Sequence, residues 1–213
     1  SQTEEQEQIP TGNTEVQLEN SVEKYSAETE QQRYALNLPE AYRSKIDEID
    51  DYIHRRMEEG RIWEDDESFT QEEYSALDEP LIGKKSAECA LFHFGYALHD
   101  IDGNGVDELI FAYDPGYGGS NVSLIYTMQN DNAIWLISGW SRCRVTFDED
   151  GFIYNMGSSG AADNIYAVYA IGEDESSLKV RDYYFSGGWD DENWYHNTCL
   201  LYTSPSPRDI SGS

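Results

Sequence analysis

Residues 97–112 read Ala97-Leu98-His99-Asp100-Ile101-Asp102-Gly103-Asn104-Gly105-Val106-Asp107-Glu108-Leu109-Ile110-Phe111-Ala112. A tight acidic loop here joins two apolar, β-prone segments. Asp100, Asp102 and Asn104 alternate, so their side chains converge on one side of a tight turn. Gly105 follows, and a residue without Cβ tolerates the positive φ of a sharp turn. Val106 then offers a backbone carbonyl, and Glu108 stands two residues further on. This is the ligand order of a calcium loop, with Asp100, Asp102, Asn104, Val106 and Glu108 at the first, third, fifth, seventh and ninth places. Calcium takes about six to eight oxygen ligands at roughly 2.3–2.6 Å. Gly103 and Asp107 are expected to face solvent. A plain Asp-Gly or Asn-Gly hairpin turn needs only two of these residues and leaves the ordered ligand positions unexplained.

The loop is EF-hand-like but departs from an EF-hand, which closes with a bidentate Glu at its twelfth place, where Phe111 stands here. The residues after the loop also favour strand over helix. The loop resembles the Asp-x-Asp-x-Asp-Gly-x-x-Asp-Leu loops of FG-GAP-type β-propeller repeats. In those a carboxylate at the ninth place closes the site, and Glu108 matches it. Asn104 replaces the usual third Asp, which removes one ligand charge and weakens the expected site.

Working outward, the period-two pattern starts with Phe92, Phe94, Tyr96 and Leu98 and continues through Leu109–Tyr113 after the loop. Further strands are expected at Val122–Tyr126, Ala133–Ser138, Arg144–Phe147, Phe152–Met156, Ile165–Ile171 and Leu178–Phe185. Asp148-Glu149-Asp150-Gly151 reads as a hairpin turn. Short turns between successive strands imply an antiparallel meander. Upstream, Tyr42, Ile46, Ile49, Ile53 and Met57 form one apolar helical stripe, with Gly60 as its stop. Thr70-Gln71-Glu72-Glu73 is a capping box before a short helix. The expected fold is α+β. An N-terminal helical segment packs on a β-meander of about eight strands, like a propeller blade, over residues 36–198.

Residues 1–35 are rich in Glu, Gln, Ser and Thr and read as a solvated, disordered acidic tether. The chain starts at Ser1 without Met, and a preceding signal peptide or lipidated cysteine is expected. Residues 199–213 are set apart. Cys199 to Asp209 back-translates to a string that resembles a sequencing-library transposase adapter, which would make this tail a non-native scar from a metagenomic assembly.

The stretch Tyr96 to Ile110 is similar to the hallmark Tyr-Ala-Leu-x-Asp-Ile-Asp-Gly-x-Gly-x-x-Glu-Leu-Ile of uncharacterised secreted proteins and lipoproteins of Gram-positive gut bacteria. The later Asp-x-Asp-Gly turn into a Tyr-bearing strand, here Asp148 to Tyr154, also recurs in that family. The resemblance implies an extracytoplasmic domain, secreted or lipid-anchored, and brings no catalytic residues.

Composition narrows the function classes. The chain has 14 basic and 42 acidic residues, for a net charge of −28. Such charge repels nucleic acid and anionic membrane surfaces. Sixteen Tyr and five Trp mark a folded chain, since disordered chains are poor in aromatics. Cys89 and Cys143 read as two free thiols, or as a disulfide in an oxidising compartment. No zinc-type Cys or His spacing occurs.

The first functional expectation is a non-catalytic, calcium-binding envelope or secreted module whose partner is a cell-envelope glycan or protein. The alternative is a carbohydrate-binding module or glycan-acting hydrolase. Trp135, Trp140, Trp189 and Trp194 are its candidate aromatics, and Trp189 and Trp194 its possible ligand platform. Core packing is the competing use for these rings. A hydrolase needs two carboxylates about 5–9.5 Å apart, and with 42 acids such a pair arises by number alone. His54, His93, His99 and His196 read as structural or exposed side chains, and no nucleophile elbow or phosphate loop occurs.

Overall fold

The structure is a computed structural model that describes residues 38–60, 68–116, 120–158, 164–174, 177–186 and 194–197. The chain divides into two units, Ser1–Pro39 and Glu40–Ser213, and all elements below belong to the second. The expected tether and the tail at 199–213 lie outside the described residues.

Helix α1 (Glu40–Glu59) buries Tyr42, Ile49, Tyr52 and Ile53. Ile46 and Met57 of the expected stripe are half-buried, and Tyr52 is the residue the stripe omits. Tyr52 is drawn in by a cluster of rings, 5.6 Å from Phe69 and 5.5 Å from Tyr74, and its hydroxyl donates to Asp78 at 2.9 Å. Gly60, at φ +82°, ends the helix.

Helix α2 (Gln71–Asp78) opens on the expected capping box. The Glu73 N–H donates to Thr70 Oγ1 at 3.2 Å, and the Thr70 N–H donates back to Glu73 Oε2 at 2.8 Å. The other oxygen of this buried carboxylate accepts the Tyr126 hydroxyl at 2.5 Å, so the cap is also a tertiary bond. A 3-10 turn (Glu79–Leu81) and the short helix α3 (Ala87–Leu91) follow.

Nine strands come next among the described residues. β1 (Phe94–His99), β2 (Glu108–Tyr113), β3 (Asn121–Gln129) and β4 (Asn132–Ser138) form one antiparallel sheet in chain order. β5 (Cys143–Phe147), β6 (Phe152–Ser158), β7 (Asn164–Ile171), β8 (Leu178–Ser186) and β9 (Trp194–Asn197) form a second. The fold is therefore α+β and mostly β, with every connection the short one expected of a meander. Among the described residues the count exceeds the expected eight by β9, a short strand that begins at Trp194 of the expected ligand platform. The series also breaks in two after Ser138, where Gly139 sits so close to the Val122 carbonyl oxygen that a Cβ would meet it at 2.4 Å.

The two sheets share one core. Ile110, Ile125 and Leu136 of the first pack with Val145, Ile153 and Ile171 of the second, and with Ile101 from the β1–β2 loop. The helices cover the other face of the first sheet. There Ser123 donates to the Ala76 carbonyl at 2.8 Å, and Lys45 Nζ stands 5.5 Å from the centre of the Tyr126 ring. A sheet covered on both faces is apolar on both, which is why five consecutive residues of β3, Ser123 to Thr127, are all buried. The second sheet keeps one face toward solvent.

Candidate metal centre

The loop Asp100–Glu108 joins β1 to β2, and the strand register pairs His99 with Glu108 at its base. Asp100 organises it. Its Oδ1 accepts the Asn104 N–H at 3.0 Å and its Oδ2 accepts the Gly105 N–H at 2.9 Å. Those bonds curl the chain around the carboxylate, and the curl needs Gly103 at φ +72° and Gly105 at φ +89°. L-residues with a Cβ resist that region by about 1–2 kcal/mol. Gly103 and Asp107 are exposed, as expected.

Asp102 and Asn104 interlock. Asn104 Nδ2 donates to Asp102 Oδ2 at 3.2 Å, and Asn104 Oδ1 accepts the Val106 N–H at 2.6 Å. The amide of Asn104 thus closes the turn, leaving a second lone pair on Oδ1.

Glu108 is the buried member, fully shielded from solvent. Its Oε2 accepts the Ile101 N–H at 2.8 Å and its Oε1 accepts the Thr127 hydroxyl at 3.0 Å. The exit of the loop is fixed from the helical layer, where the Tyr42 hydroxyl donates to the Asp107 carbonyl at 2.8 Å. Thr127 and Tyr42 therefore support the site from distant sequence positions, and no local pattern marks either one.

The second hairpin turn also reaches the loop. Gly151, at φ +84°, is buried against it. A Cβ there would lie 3.1 Å from Asp102 Cα and 3.2 Å from the Ile101 carbonyl oxygen. The loop is thus wedged between the two sheets.

Asp100, Asp102 and Glu108 each offer an oxygen within 4.8 Å of the others, a group that could hold a metal ion. The donors to these three carboxylates named above are backbone N–H groups, an amide and a hydroxyl, none of them cationic. Each pair at such separation repels by roughly 1–3 kcal/mol between water-like and surface-like screening. Burial, with the charges of Asp102 and Asp100 adding to it, pushes the Glu108 carboxyl up to about 7, against the pull of its two hydrogen bonds. A cation would relieve both the repulsion and the burial cost.

Compared with known proteins, the chain matches no family model, no curated sequence and no solved structure. The reading of this site therefore stands on its geometry. Of the other expected site residues, Trp189 lies outside the described residues, while Trp194 opens β9 opposite Ser186. Trp135 and Trp140 are half-buried, and the Trp135 indole N–H donates to Ser138 Oγ at 2.9 Å. Cys89 and Cys143 are free thiols. His99 packs on Phe147 at 5.5 Å and His93 on Phe92 at 5.1 Å.

Proposed function

We propose that this chain is a non-catalytic, extracytoplasmic calcium-binding domain that serves as a binding or interaction module of the cell envelope or a secreted protein. The observation that carries the reading is the convergence of Asp100, Asp102 and Glu108 oxygens within 4.8 Å. The donor set is all oxygen, which suits hard cations rather than zinc or copper. With the Asn104 carbonyl oxygen, the Val106 carbonyl and water added, the loop reaches the six or more oxygens that calcium takes. Magnesium demands a tighter octahedron and sheds its water reluctantly.

The ion's role on this reading is structural. It would neutralise the charge gathered between Ile101, Glu108 and the Gly151 turn, and so brace the seam between the sheets. A loop with Asn in place of a carboxylate binds weakly and suits the millimolar calcium found outside cells. That, with the hallmark at Tyr96 to Ile110, supports an extracytoplasmic place. Among the described residues no helix is long and apolar enough to cross a membrane.

The test is thermal unfolding of the whole chain in chelator, in calcium and in magnesium. At a hundred times the dissociation constant, calcium stabilises by about 2.7 kcal/mol, which for this size is on the order of 5–10 °C. Magnesium is expected to give a smaller rise. Equal melting temperatures in chelator and in millimolar calcium would sink the proposal.

A further inference from the structure

Strand β1 is an edge of the first sheet, and among the described residues no strand pairs with its outer side. One bond fixes the direction of its backbone groups. The Asp114 N–H donates to the His93 carbonyl at 2.8 Å, and these two residues lie opposite each other one step before Phe94 and Tyr113. Opposed pairs in an antiparallel ladder alternate between bonded and non-bonded. Gly95, Ala97 and His99 therefore bond to β2, while Phe94, Tyr96 and Leu98 turn their N–H and C=O groups to the open side.

Natural edges are guarded by Lys, Pro, a bulge or shortness. The other end strands have such cover. β4 is half-buried or buried from Ala133 to Ser138 and its pairing carries a bulge, β5 carries Arg144, and β9 has four residues. β1 has no guard. Its six residues pair with β2 without a register shift, and Gly95, Tyr96 and Ala97 are exposed in succession. Phe92, 84% exposed, adds apolar surface just before it.

The two faces of β1 differ in bulk. A Cβ at Gly95 would meet nothing within 4 Å, so the face of Gly95 and Ala97 has room for a partner's ring. The face of Phe94, Tyr96 and Leu98 suits β-branched neighbours.

Charge selects among occupants. Between Lys85 and Arg142, a stretch that contains the whole first sheet, there is no Lys or Arg. Asp114 is exposed beyond one end of β1, and Asp102 and Asp107 beyond the other. Two copies meeting edge to edge would each bring a net charge of −28 and repel. A peptide with basic flanks would be drawn to both ends.

We propose that β1 binds an extended segment of another protein as an added antiparallel strand, one that alternates β-branched and aromatic residues and carries Lys or Arg at both flanks. Main-chain bonds give such a complex its affinity and alternate side chains its selectivity. The edge is separate from the metal ligands and does not need the calcium reading to hold.

The experiment is calorimetric titration of the whole chain, in chelator and again in calcium, with the peptide Lys-Lys-Val-Tyr-Val-Tyr-Val-Lys-Lys. Its Val residues would stand opposite Leu98, Tyr96 and Phe94, and its Tyr residues opposite Ala97 and Gly95. Binding is expected in both solutions, and weaker at high salt. Glu in place of the flanking Lys is expected to weaken it about tenfold or more. N-methylation of the central Val blocks a bond to β1 and is expected to abolish binding. N-methylation of a Tyr, whose N–H points away, is expected to preserve it. Tyr96→Pro removes an outward N–H and no bond to β2, and is expected to lose the peptide. Absence of binding, equal binding of the Val- and Tyr-methylated peptides, equal binding of the Lys- and Glu-flanked peptides, or full binding by Tyr96→Pro would each overturn the proposal. So would dimers of the peptide-free chain that Tyr96→Pro dissolves, or slow hydrogen exchange at the Tyr96 amide of the peptide-free monomer. The edge would then belong to a second copy or to this chain itself.

Discussion

The chain holds two acidic hairpin turns that touch each other and yet are chemically unlike. Asp100–Glu108 and Asp148–Gly151 both join antiparallel strands, and both rely on a glycine at positive φ. In the second turn one carboxylate does all the work. Asp148 Oδ1 accepts the N–H groups of Asp150 and Phe152, each at 3.0 Å, and its Oδ2 accepts the Tyr154 hydroxyl at 2.5 Å. The Tyr154 bond, with the backbone bonds, holds its carboxyl below the usual carboxylate range. Glu149 and Asp150 remain exposed. In the first turn three carboxylates converge, one is sealed from water, and Glu108 is pushed the opposite way, up to about 7. The number of acidic residues does not mark a cation site. What makes the first turn able to hold a cation is convergence that, among the described residues, leaves negative charge without a cationic partner.

The sharpest way to break that contrast is Glu108→Ala. It would leave the Ile101 N–H and Thr127 hydroxyl unpaired around a new cavity, at an expected loss of about 2–4 kcal/mol in urea unfolding. The calcium increment should vanish with it. A loss below about 1 kcal/mol would mean that Glu108 is not the buried keystone described here.

Acidity offers the next largest effect. Glu108 has a folded pKa raised from 4.5 to about 7. Between those values the folded state holds a proton that the unfolded chain has released. In chelator, its contribution to stability therefore falls as pH rises from about 4.5 to about 7, by at most about 3 kcal/mol, and is level above. Calcium needs the ionised carboxylate, so the fall should flatten or reverse when the ion is present. Melting temperature against pH, with and without calcium, reads this directly, and identical slopes would count against a cation at Glu108.

Gly151→Ala comes third. The positive φ and the close approach to Asp102 together make a loss of about 1–3 kcal/mol the expected result. Because the strain falls on the Ile101–Asp102 backbone, calcium affinity measured by titration should weaken too. The two turns are independent if it does not.

Asp148→Ala should cost about 1 kcal/mol, as lost capping bonds do, and leave the calcium increment intact. Asp102→Ala should do the reverse, with almost no change in chelator and no calcium response. An Asp148 variant that abolished the calcium response would place the cation in the wrong turn.

The contrast also shows what a sequence can and cannot reveal. Alternation and turn residues locate eight of the nine strands because each pattern is local. β9 escapes because it is short and sits among Gly, Asp and Trp. The capping box at Thr70–Glu73 is legible, but its bond to Tyr126 is not. Ligand order marks Asp100, Asp102 and Glu108 because tight loops impose spacing. Thr127, Tyr42 and Gly151 are fixed by strand pairing and layer packing, which bring distant positions together without a shared motif. The division into two sheets is equally hidden, since every connection, including that between β4 and β5, is short.

Cys143 turns the second sheet into its own clock. Burial pushes this thiol up, and Asn155 Nδ2 donates to its sulfur at 3.0 Å, whereas Cys89 is exposed. Thiolate is the reactive form, so a thiol reagent is expected to mark the exposed Cys89 first and the half-buried Cys143 more slowly. With Cys199 replaced by Ser, the ratio of the two labelling rates in one tube would report how strongly the second sheet shields its thiol, each molecule carrying its own reference.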